Sequence, residues 1–333
     1  MHLPTRRSNP TPVGAGAGAG IVTVPTESRV VTCYSAFDKF FPTTGLLDYT
    51  EGIYGGDPAT PYERAKQNQF DYLLDEIRCG PGVRVLEVGC GNGTLLQQIR
   101  KRGGIGVGIT ITPDQVRVCQ EQGLDARLMD FFDLDPSLYG TFDAIVANGP
   151  IEHFVQPLQA SRGQADAIYA QMFANLHRLL DPRSPIARVV NTTVHFARSP
   201  RPADLLKPLF AWRPGSDNFH YTLLARSFGG FYPVDGQLER CAGSHFELVK
   251  AVDGTRDYYY TSEEWLRRIR RALRSATGLR VAGRSLPLLL RQPVQLLTMV
   301  TCMLITQSWN WQFRSDSPPA RLWRQTWSRV AAG

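Results

Sequence analysis

The sequence predicts an α/β protein built on a doubly wound parallel sheet, and two observations lead to that prediction. The first is an apolar run that ends in three glycines at alternate positions and continues into a helical pattern. These parts are the strand-like run 83–88, the turn Gly89, Gly91 and Gly93, and the helix beginning at Thr94. The second is that strand-like and helical patterns go on alternating along the chain, as a doubly wound sheet requires. In such a sheet, a glycine turn between a strand and a helix lets the backbone approach a nucleotide-like ligand closely.

The other expected elements follow from short apolar runs and from helical spacing. Strands are predicted at 83–88, 106–111, 125–129, 142–147 and 187–193, and helices at 61–77, from 112 onwards and at 165–180. Ligands of open α/β sheets bind beyond the carboxyl ends of the strands. Polar residues follow all of the predicted strands, in the segments 87–93, 110–115, 130–131, 148–153 and 191–193. We therefore expect a ligand site at that edge of the sheet.

Composition and cysteine usage limit the class of protein. At 333 residues, with 43% hydrophobic and 20% charged residues, the chain can bury one large core, or one core plus a smaller cap. The six cysteines have no C-x-x-C spacing, so neither a zinc site nor a disulfide framework is predicted, and we expect no metal. This cysteine usage is typical of a reducing compartment, and we expect a cytoplasmic protein.

Three segments outside the predicted sheet differ in composition from the rest of the chain. Residues 1–30 are rich in Pro, Gly, Ala and Thr and cannot bury enough apolar surface to offset their chain entropy, so they are predicted to be disordered. Segment 31–64, in which aromatic residues alternate with Gly and Pro, is predicted to form a lid. The uncharged run 292–313 is long enough to span a membrane, but polar residues interrupt it, so we expect a packed amphipathic helix instead.

The net charge of +7 is concentrated towards the C-terminus. From Leu266 onwards there are twelve arginines and one acidic residue, Asp316. Such a segment can contact anionic lipid headgroups or nucleic acid, and it can equally be a solvated arginine-rich helical face. It contains no recognised nucleic-acid module, so we expect no nucleic-acid partner, whereas peripheral contact with an anionic membrane stays open. The sequence makes no prediction of the oligomeric state.

The glycine turn is the first of several motifs. Its spacing is G-x-G-x-G rather than the dinucleotide pattern G-x-G-x-x-G, and the chain contains no G-x-x-x-x-G-K-S/T phosphate loop. The strand before it ends in Glu87, a hydrogen-bond acceptor rather than a phosphate partner. The stretch 87–93, E-V-G-C-G-N-G, resembles the first motif of S-adenosylmethionine (SAM)-dependent methyltransferases.

Further motifs make the resemblance more specific. They are G-I-T-I-T-P-D-Q at 108–115, I-E-H at 151–153, F-G-G-F-Y-P at 228–233, D-Y-Y-Y-T-S-E-E-W at 257–265 and the tryptophan-rich stretch 309–327. In this order they resemble the cyclopropane fatty acid synthase superfamily, which also contains mycolic acid methyltransferases and plant alkaloid N-methyltransferases. The resemblance implies a Rossmann-like class I methyltransferase fold with SAM as cofactor. Residues 65–199 would form the SAM-binding core, 200–245 a largely helical insertion over the acceptor, and 246–333 the arginine-rich completion of the core.

The resemblance also implies which residues contact SAM. They are Tyr49, Thr50, Glu87, Gly89, Gly91, Asn92, Thr110, Ile111, Gln115, Asp130, Phe131 and Asn148. Tyr49 and Thr50 would lie over the methionine end, and Thr110 and Gln115 would reach the ribose. Elementary chemistry agrees at the adenine, because Asp130 can accept its exocyclic amine and Phe131 offers a ring face or edge. Without that context, a core aromatic residue is the favoured interpretation of Phe131.

At the reaction centre the sequence departs from the family it resembles. In cyclopropane synthases a Cys, a Glu, a His and a Tyr hold a bicarbonate; by resemblance Glu152 and Tyr258 match, but Glu51 replaces the Cys and Asn191 replaces the His. A carboxylate at the Cys position repels an anion, which disfavours bicarbonate. Glu51 is then either the base itself, if burial and Glu152 raise its pKa, or a surface charge of the lid. His153 is either catalytic or a structural hydrogen-bonding residue.

Two methyltransferase hypotheses follow, together with one from another class. The first is transfer of a methyl or methylene group to carbon of an unsaturated, lipid-like acceptor. The second is N- or O-methylation of a small metabolite, since paired carboxylates suit an amine and T-S-E-E-W resembles the alkaloid N-methyltransferases. The third is a SAM-fold protein without chemistry that acts at membranes or on RNA through its arginine-rich end, and the intact SAM motifs argue against it.

Overall fold

The structure is a computed structural model, and it describes residues 27–40 and 44–330. Most of the segment predicted to be disordered, 1–30, lies outside the described residues. Its last four positions belong to a helix, α1 (Glu27–Phe40), which corrects the predicted boundary. No helix is predicted there, but Val30, Cys33 and Phe37 are spaced three or four residues apart and all are buried. An apolar face packed on the core therefore holds α1.

Strands and helices alternate along most of the described chain. The strands are β1 (Arg84–Val88), β2 (Ile105–Thr110), β3 (Asp125–Leu128), β4 (Ala144–Asn148), β5 (Arg188–Phe196), β6 (Phe246–Asp253) and β7 (Ala320–Arg329). The helices after α1 are α2 (Tyr62–Glu76), α3 (Thr94–Lys101), α4 (Pro113–Glu121), α5 (Pro136–Tyr139), α6 (Pro157–Ser161), α7 (Ala165–Leu179), α8 (Asp217–Phe228), α9 (Gln237–Ala242), α10 (Thr255–Leu273), α11 (Ala276–Arg291), α12 (Pro293–Val300) and α13 (Ser308–Trp311). Short 3-10 turns lie at Phe131–Asp133, Ile151–His153, Pro202–Leu206 and Leu209–Ala211.

The strands form one sheet in the order β3-β2-β1-β4-β5-β7-β6. β1 to β5 run parallel, whereas β7 is antiparallel to both of its neighbours, β5 and β6. The chain moves outwards from β1 to β3 on one side and from β4 to β5 on the other, so the topological switch lies between β1 and β4. Ligands of doubly wound sheets bind in the crevice at that point. The predicted fold class is confirmed, with an antiparallel pair added at one edge.

Apolar side chains on both faces of the sheet form two clusters. Successive side chains of β1 point to opposite faces, so Leu86 and Val88 belong to the larger cluster and Val85 to the smaller one. The smaller cluster packs α2 and α3 against the sheet through residues such as Phe70 and Leu96. Because both faces of β1 are covered, the strand carries apolar residues on both faces rather than on one.

The uncharged run 292–313 forms several short elements rather than the single packed helix that the sequence predicts. α12 is followed by a π-helical turn, Thr301–Ile305, and then by α13. The break after the π-helical turn coincides with Gln307, whose φ of 52° lies in the left-handed region that L-residues rarely adopt. Within residues 27–40 and 44–330, no helix combines the length and the apolar character needed to cross a membrane.

Candidate active site

A cavity of about 860 Å³ opens at the carboxyl ends of β1, β2 and β4. Every residue that the sequence predicts for the site, except Asn191, lines this cavity. These residues are Tyr49, Thr50, Glu51, Glu87, Gly89, Gly91, Asn92, Thr110, Ile111, Gln115, Asp130, Phe131, Asn148, Glu152, His153 and Tyr258. We call the end formed by residues 87–92, 110–115 and 130–131 the cofactor half, and the end around Glu152 and Tyr258 the acceptor half.

The glycines of the turn after β1 differ in how closely other residues pack against them. Gly89, Gly91 and Gly93 all have positive φ, at 71°, 52° and 79°, so other residues would be strained there. A Cβ on Gly89 would lie 2.9 Å from Cβ of Pro150, and one on Gly93 would lie 2.6 Å from Cδ1 of Leu124. A Cβ on Gly91 meets no atom within 4 Å, although Gly91 lines the cavity. Gly91 is therefore the position at which a ligand can approach the backbone.

Glu87 is the last residue but one of β1 and lies just before that turn. Its side chain is buried, and burial raises its pKa well above the ordinary range. Its Oε2 atom is buried and accepts no hydrogen bond from any described residue. A buried carboxyl oxygen without a partner is costly unless a ligand supplies one. Glu87 is thus a polar anchor that faces into the cofactor half.

The remaining cofactor half is held in place by local hydrogen bonds and stacking. Thr110 Oγ1 donates to Gln115 Oε1 at 2.7 Å, which fixes the two side chains after β2 against each other. Asp130 caps a 3-10 turn by accepting the N–H of Phe132 at 2.9 Å. Phe131 stacks on Phe154 with ring centroids 5.4 Å apart and an interplanar angle of 17°. Both alternatives for Phe131 hold, because the ring is buried in the core and also lines the cavity.

Lys66 of α2 fastens the segment that crosses the two halves, and sequence reasoning missed it. The fully buried Lys66 ammonium pairs with Asp48 at 2.8 Å and donates to Thr50 Oγ1 at 2.7 Å and to the carbonyl of Glu51 at 2.8 Å. Burial lowers the pKa of Lys66, and the negative charges of Asp48 and Glu51 oppose that shift. Lys66 lies four residues before the buried Phe70, which places it on the apolar face of α2, and this spacing is the signal that could have identified it.

Glu51 is buried and is not a surface charge of the lid, so that alternative is wrong. Its Oε1 accepts from Arg324 Nε at 3.1 Å, and the same guanidinium contacts Asp257 Oδ2 at 2.9 Å through Nη2. Arg324 compensates the charge of Glu51, so repulsion by an unpaired Glu51 carboxylate no longer disfavours bicarbonate. Arg324 lies in β7, far from Glu51 in sequence, so no local pattern links the two residues.

Glu152 follows β4 in a 3-10 turn, and it is a carboxyl group of the acceptor half whose pKa is strongly raised. Its Oε1 accepts the N–H of Val194 at 2.8 Å. Burial raises the pKa of Glu152 to about 8, with the charge of Glu51 adding to the shift. The F-G-G-F-Y-P motif passes directly over this turn, since a Cβ on Gly230 would lie 2.1 Å from the carbonyl oxygen of Glu152. The backbone of the insertion therefore shields Glu152 from water.

His153 points at α1 and is held as a neutral ring. Its Nε2 is hydrogen-bonded to the hydroxyl of Tyr34 at 2.8 Å, and burial lowers the pKa of His153 to about 4. The two rings meet edge to face, with centroids 5.6 Å apart. This contact favours the structural alternative for His153, since it joins the end of β4 to the helix that covers the cavity.

Asn191 does not line the cavity, which corrects its predicted place at the reaction centre. Its Oδ1 accepts from Trp327 Nε1 at 2.6 Å, and its Nδ2 donates to Thr193 Oγ1 at 2.8 Å, inside the core. Because side chains alternate along a strand, the neighbour Thr192 faces the cavity instead. Thr192 Oγ1 donates to Asn148 Oδ1 at 2.7 Å, so β5 contributes a hydroxyl and not an amide.

The acceptor half is walled by aromatic and other apolar side chains from distant segments. They are Tyr34, Phe37, Phe228, Tyr232, Tyr258, Trp265, Met303, Trp309 and Leu322. The rings contact one another, with Phe228 and Trp309 at 4.4 Å and Phe37 and Phe228 at 5.7 Å between centroids. Of the aromatic residues in the insertion 200–245, Phe228 and Tyr232 line the cavity, whereas Phe210 is 89% exposed.

The chain matches the model of a known protein family. The family model described as mycolic acid cyclopropane synthetase matches residues 27–282, which is more than half of the chain. The chain belongs to this family. The predicted resemblance to the cyclopropane fatty acid synthase superfamily is thereby confirmed.

Solved structures share the fold of this cyclopropane synthetase family member at low sequence identity. The cyclopropane synthase MmaA2 from Mycobacterium tuberculosis has a TM-score of 0.67 at 19% identity, over 90% of this chain and 97% of that one. Coclaurine N-methyltransferase, bound to N-methylheliamine and SAH, has a TM-score of 0.63 at 13% identity, over 88% of this chain and 80% of that one. Both similarities concern the fold, and they confirm the predicted class I methyltransferase architecture.

Curated relatives match shorter stretches. The cyclopropane-fatty-acyl-phospholipid synthase of Escherichia coli is 34% identical over 96 residues, which are 27% of this chain and 24% of that protein. The ubiquinone biosynthesis O-methyltransferase of Xanthomonas campestris is 30% identical over 117 residues, which are 33% of this chain and 48% of that protein. The match spans less than half the length of either relative.

The cofactor implied for the family, SAM, fits the residues of the cofactor half. The open space over Gly91 admits a ligand against the backbone, and the unpaired oxygen of Glu87 requires a polar partner. Asp130 and the ring of Phe131 lie at the same end of the cavity and provide an acceptor and an aromatic surface for a flat base. These features are suited to binding a ligand that carries both polar groups and an aromatic ring.

Proposed function

We propose that this member of the cyclopropane synthetase family is a SAM-dependent methyltransferase that modifies carbon of an unsaturated, lipid-like acceptor. The observation that supports the proposal is one continuous cavity whose two ends differ in chemistry. One end is a glycine turn with a buried carboxyl group, and the other is an aromatic and aliphatic wall around Glu152. Largely apolar pockets with a few placed polar groups are typical of sites for apolar ligands.

The chain's own residues would hold and orient the two reactants. When bound, SAM supplies an electrophilic methyl group on a sulfonium. Gly91, Glu87, Gln115 and Asp130 would hold the cofactor, while the segment fastened by Lys66 would cover its methionine end. Methyl transfer requires in-line approach in a dry site, so fixed positioning provides most of the acceleration. The buried ion pairs of Lys66 and Glu51 supply that rigidity.

Glu152 has the properties of a base for the methylene product. That product requires the methylated acceptor to lose one proton, and a carboxylate with a pKa near 8 can accept a proton and keep it at neutral pH. The rings of Tyr258 and Trp309 line the same end of the cavity, and aromatic rings near an acceptor carbon would stabilise positive charge on it. Glu51 as the base stays a prediction, and Glu51→Gln tests it through the pH profile described below.

Label transfer tests the proposal. The purified protein is incubated with SAM that carries a fully deuterated methyl group, together with lipid and metabolite extracts, and products are identified by mass spectrometry. We expect a labelled lipid that retains two deuterium atoms if a methylene bridge forms, or three if a methyl group stays. Parallel reactions with and without added bicarbonate test whether that anion contributes. Binding of SAM with no labelled lipid in any extract that contains unsaturated acyl chains would contradict the proposal.

N- or O-methylation of a small metabolite is the second candidate. It is favoured by the alignment with the ubiquinone biosynthesis O-methyltransferase and by Glu152, since a base with a raised pKa can deprotonate a hydroxyl or ammonium group. Three deuterium atoms on nitrogen or oxygen would identify this reaction. A location in the cytoplasm stays a prediction of the sequence.

A further inference from the structure

The outer faces of α11 and α12 carry aliphatic side chains where a surface helix normally carries polar ones. α12 buries Leu296 and Met299, yet its opposite face exposes Val294 and Leu297. α11 adds Leu286, Leu289 and Leu290, which share a face because they are three or four residues apart. We call the exposed set the apolar ridge; it consists of Leu286, Leu289, Leu290, Val294, Leu297 and Ile305. Val294 is 77% exposed, Leu290 75% and Ile305 70%.

The ridge lies within the most basic part of the chain. Between Glu264 and Asp316 the sequence contains nine arginines and no lysine, aspartate or glutamate. Arg280 and Arg291 are exposed on α11 itself, and Arg270, Arg271 and Arg274 line a groove at the end of α10. No carboxylate of the described residues forms an ion pair with any of these five arginines. Positive charge beside exposed aliphatic side chains is the pattern of a helix that lies in a membrane interface.

The ridge is also connected to the acceptor half of the cavity. Met303 lines the cavity, and Ile305, in the same π-helical turn, is exposed on the ridge. α11 and α12 pack on α1, which contributes Tyr34 and Phe37 to the aromatic wall. We propose that the apolar ridge and its arginines dock this protein on an anionic lipid bilayer, next to the acceptor half. The inference deepens the proposed function, because it names the surface from which a lipid-like acceptor would be taken.

Vesicle flotation tests this surface without any turnover. The full chain is mixed with vesicles of phosphatidylcholine alone, or of phosphatidylcholine with phosphatidylglycerol, and the bound fraction is measured. We expect binding to the anionic vesicles that high salt reverses. The double substitution Leu290→Ser with Val294→Ser should lower the partition coefficient about tenfold or more, because it removes two inserted side chains. Phe210→Ser is the matched control, since Phe210 is 89% exposed outside the arginine-rich segment, and it should leave binding unchanged.

Two results would overturn the docking proposal. One is equal flotation of the parent and the double variant, or binding to phosphatidylcholine that needs no anionic lipid. The other is a concentration-dependent dimer, seen by sedimentation without vesicles, that the double variant abolishes, because the ridge would then be covered by a second copy. Circular dichroism and SAM titration of each variant confirm that it is folded. Because neither readout requires methyl transfer, failure of the docking proposal and failure of the proposed function are distinguishable.

Discussion

The two halves of the cavity are built from different parts of the chain. The cofactor half comes from turns that directly follow β1, β2 and β3, and the turns after β2 and β3 are fixed by neighbours in sequence, such as Thr110 with Gln115. The acceptor half comes from α1, segment 47–51, α8, α10 and the C-terminal elements, and the buried ion pair between the remote residues Glu51 and Arg324 holds it. Substitutions in the cofactor half should therefore act on ligand binding, whereas those in the acceptor half should divide between chemistry and stability.

Glu152→Gln should have the largest effect on chemistry. Loss of a positioned base lowers the rate of label transfer by about 10²- to 10⁴-fold, while SAM affinity stays unchanged because Glu152 lies outside the cofactor half. In the parent the base must be ionised, so with a pKa of about 8 the rate should rise about tenfold per pH unit below 8 and level off above it.

The controls for this prediction compare the two carboxyl groups. Rates of label transfer across pH are measured for the parent, Glu152→Gln and Glu51→Gln. Glu51→Gln should keep a midpoint but move it below about 8, because the charge of Glu51 adds to the raised pKa of Glu152. A midpoint that disappears in Glu51→Gln and persists in Glu152→Gln would assign the base to Glu51 instead.

Arg324→Met should have the largest effect on stability. It leaves the buried carboxylate of Glu51 without its partner, which costs about 3–5 kcal/mol in the free energy of unfolding. Arg321→Met is the matched control on the same strand, because Arg321 and its partner Asp235 are both partly exposed and such pairs contribute at most about 1 kcal/mol. Chemical denaturation measures both values. Equal losses for the two variants would show that the Glu51 pair does not hold the acceptor half together.

Asn191→Ala should give a smaller effect, on stability alone. It leaves the buried Nε1 of Trp327 without an acceptor, which costs about 1–3 kcal/mol in the free energy of unfolding. Thr192→Ala is the comparison, because Thr192 lines the cavity and its Oγ1 donates to Asn148 Oδ1. At a temperature where both variants are folded, Asn191→Ala should transfer label at the parent's rate. A rate loss in Asn191→Ala that exceeds the loss in Thr192→Ala would restore Asn191 to the reaction centre.

The difference between the halves also explains what the sequence could predict. The strand, the glycine turn and Glu87 follow one another within eleven residues, so local pattern alone located the cofactor half. Asn191 was misplaced because a one-residue shift along a strand exchanges the core face for the cavity face. The pair of Glu51 with Arg324 joins residues more than 250 positions apart, and only the antiparallel placement of β7 brings them together. Helix α1 was missed because its apolar spacing lies next to a segment of low complexity.

Titration calorimetry with SAM on the parent, Gly91→Val and Gly55→Val tests whether the glycine turn is a cofactor site. Gly55 is the matched control, because its φ of 65° carries the same strain and a Cβ there also meets no atom within 4 Å, but it does not line the cavity. We predict one SAM site in the parent and in Gly55→Val, and an affinity about 100-fold lower in Gly91→Val, since the side chain fills the space through which the ligand reaches the backbone. No binding to the parent, or equal affinity in all three proteins, would show that the glycine turn is not a cofactor site.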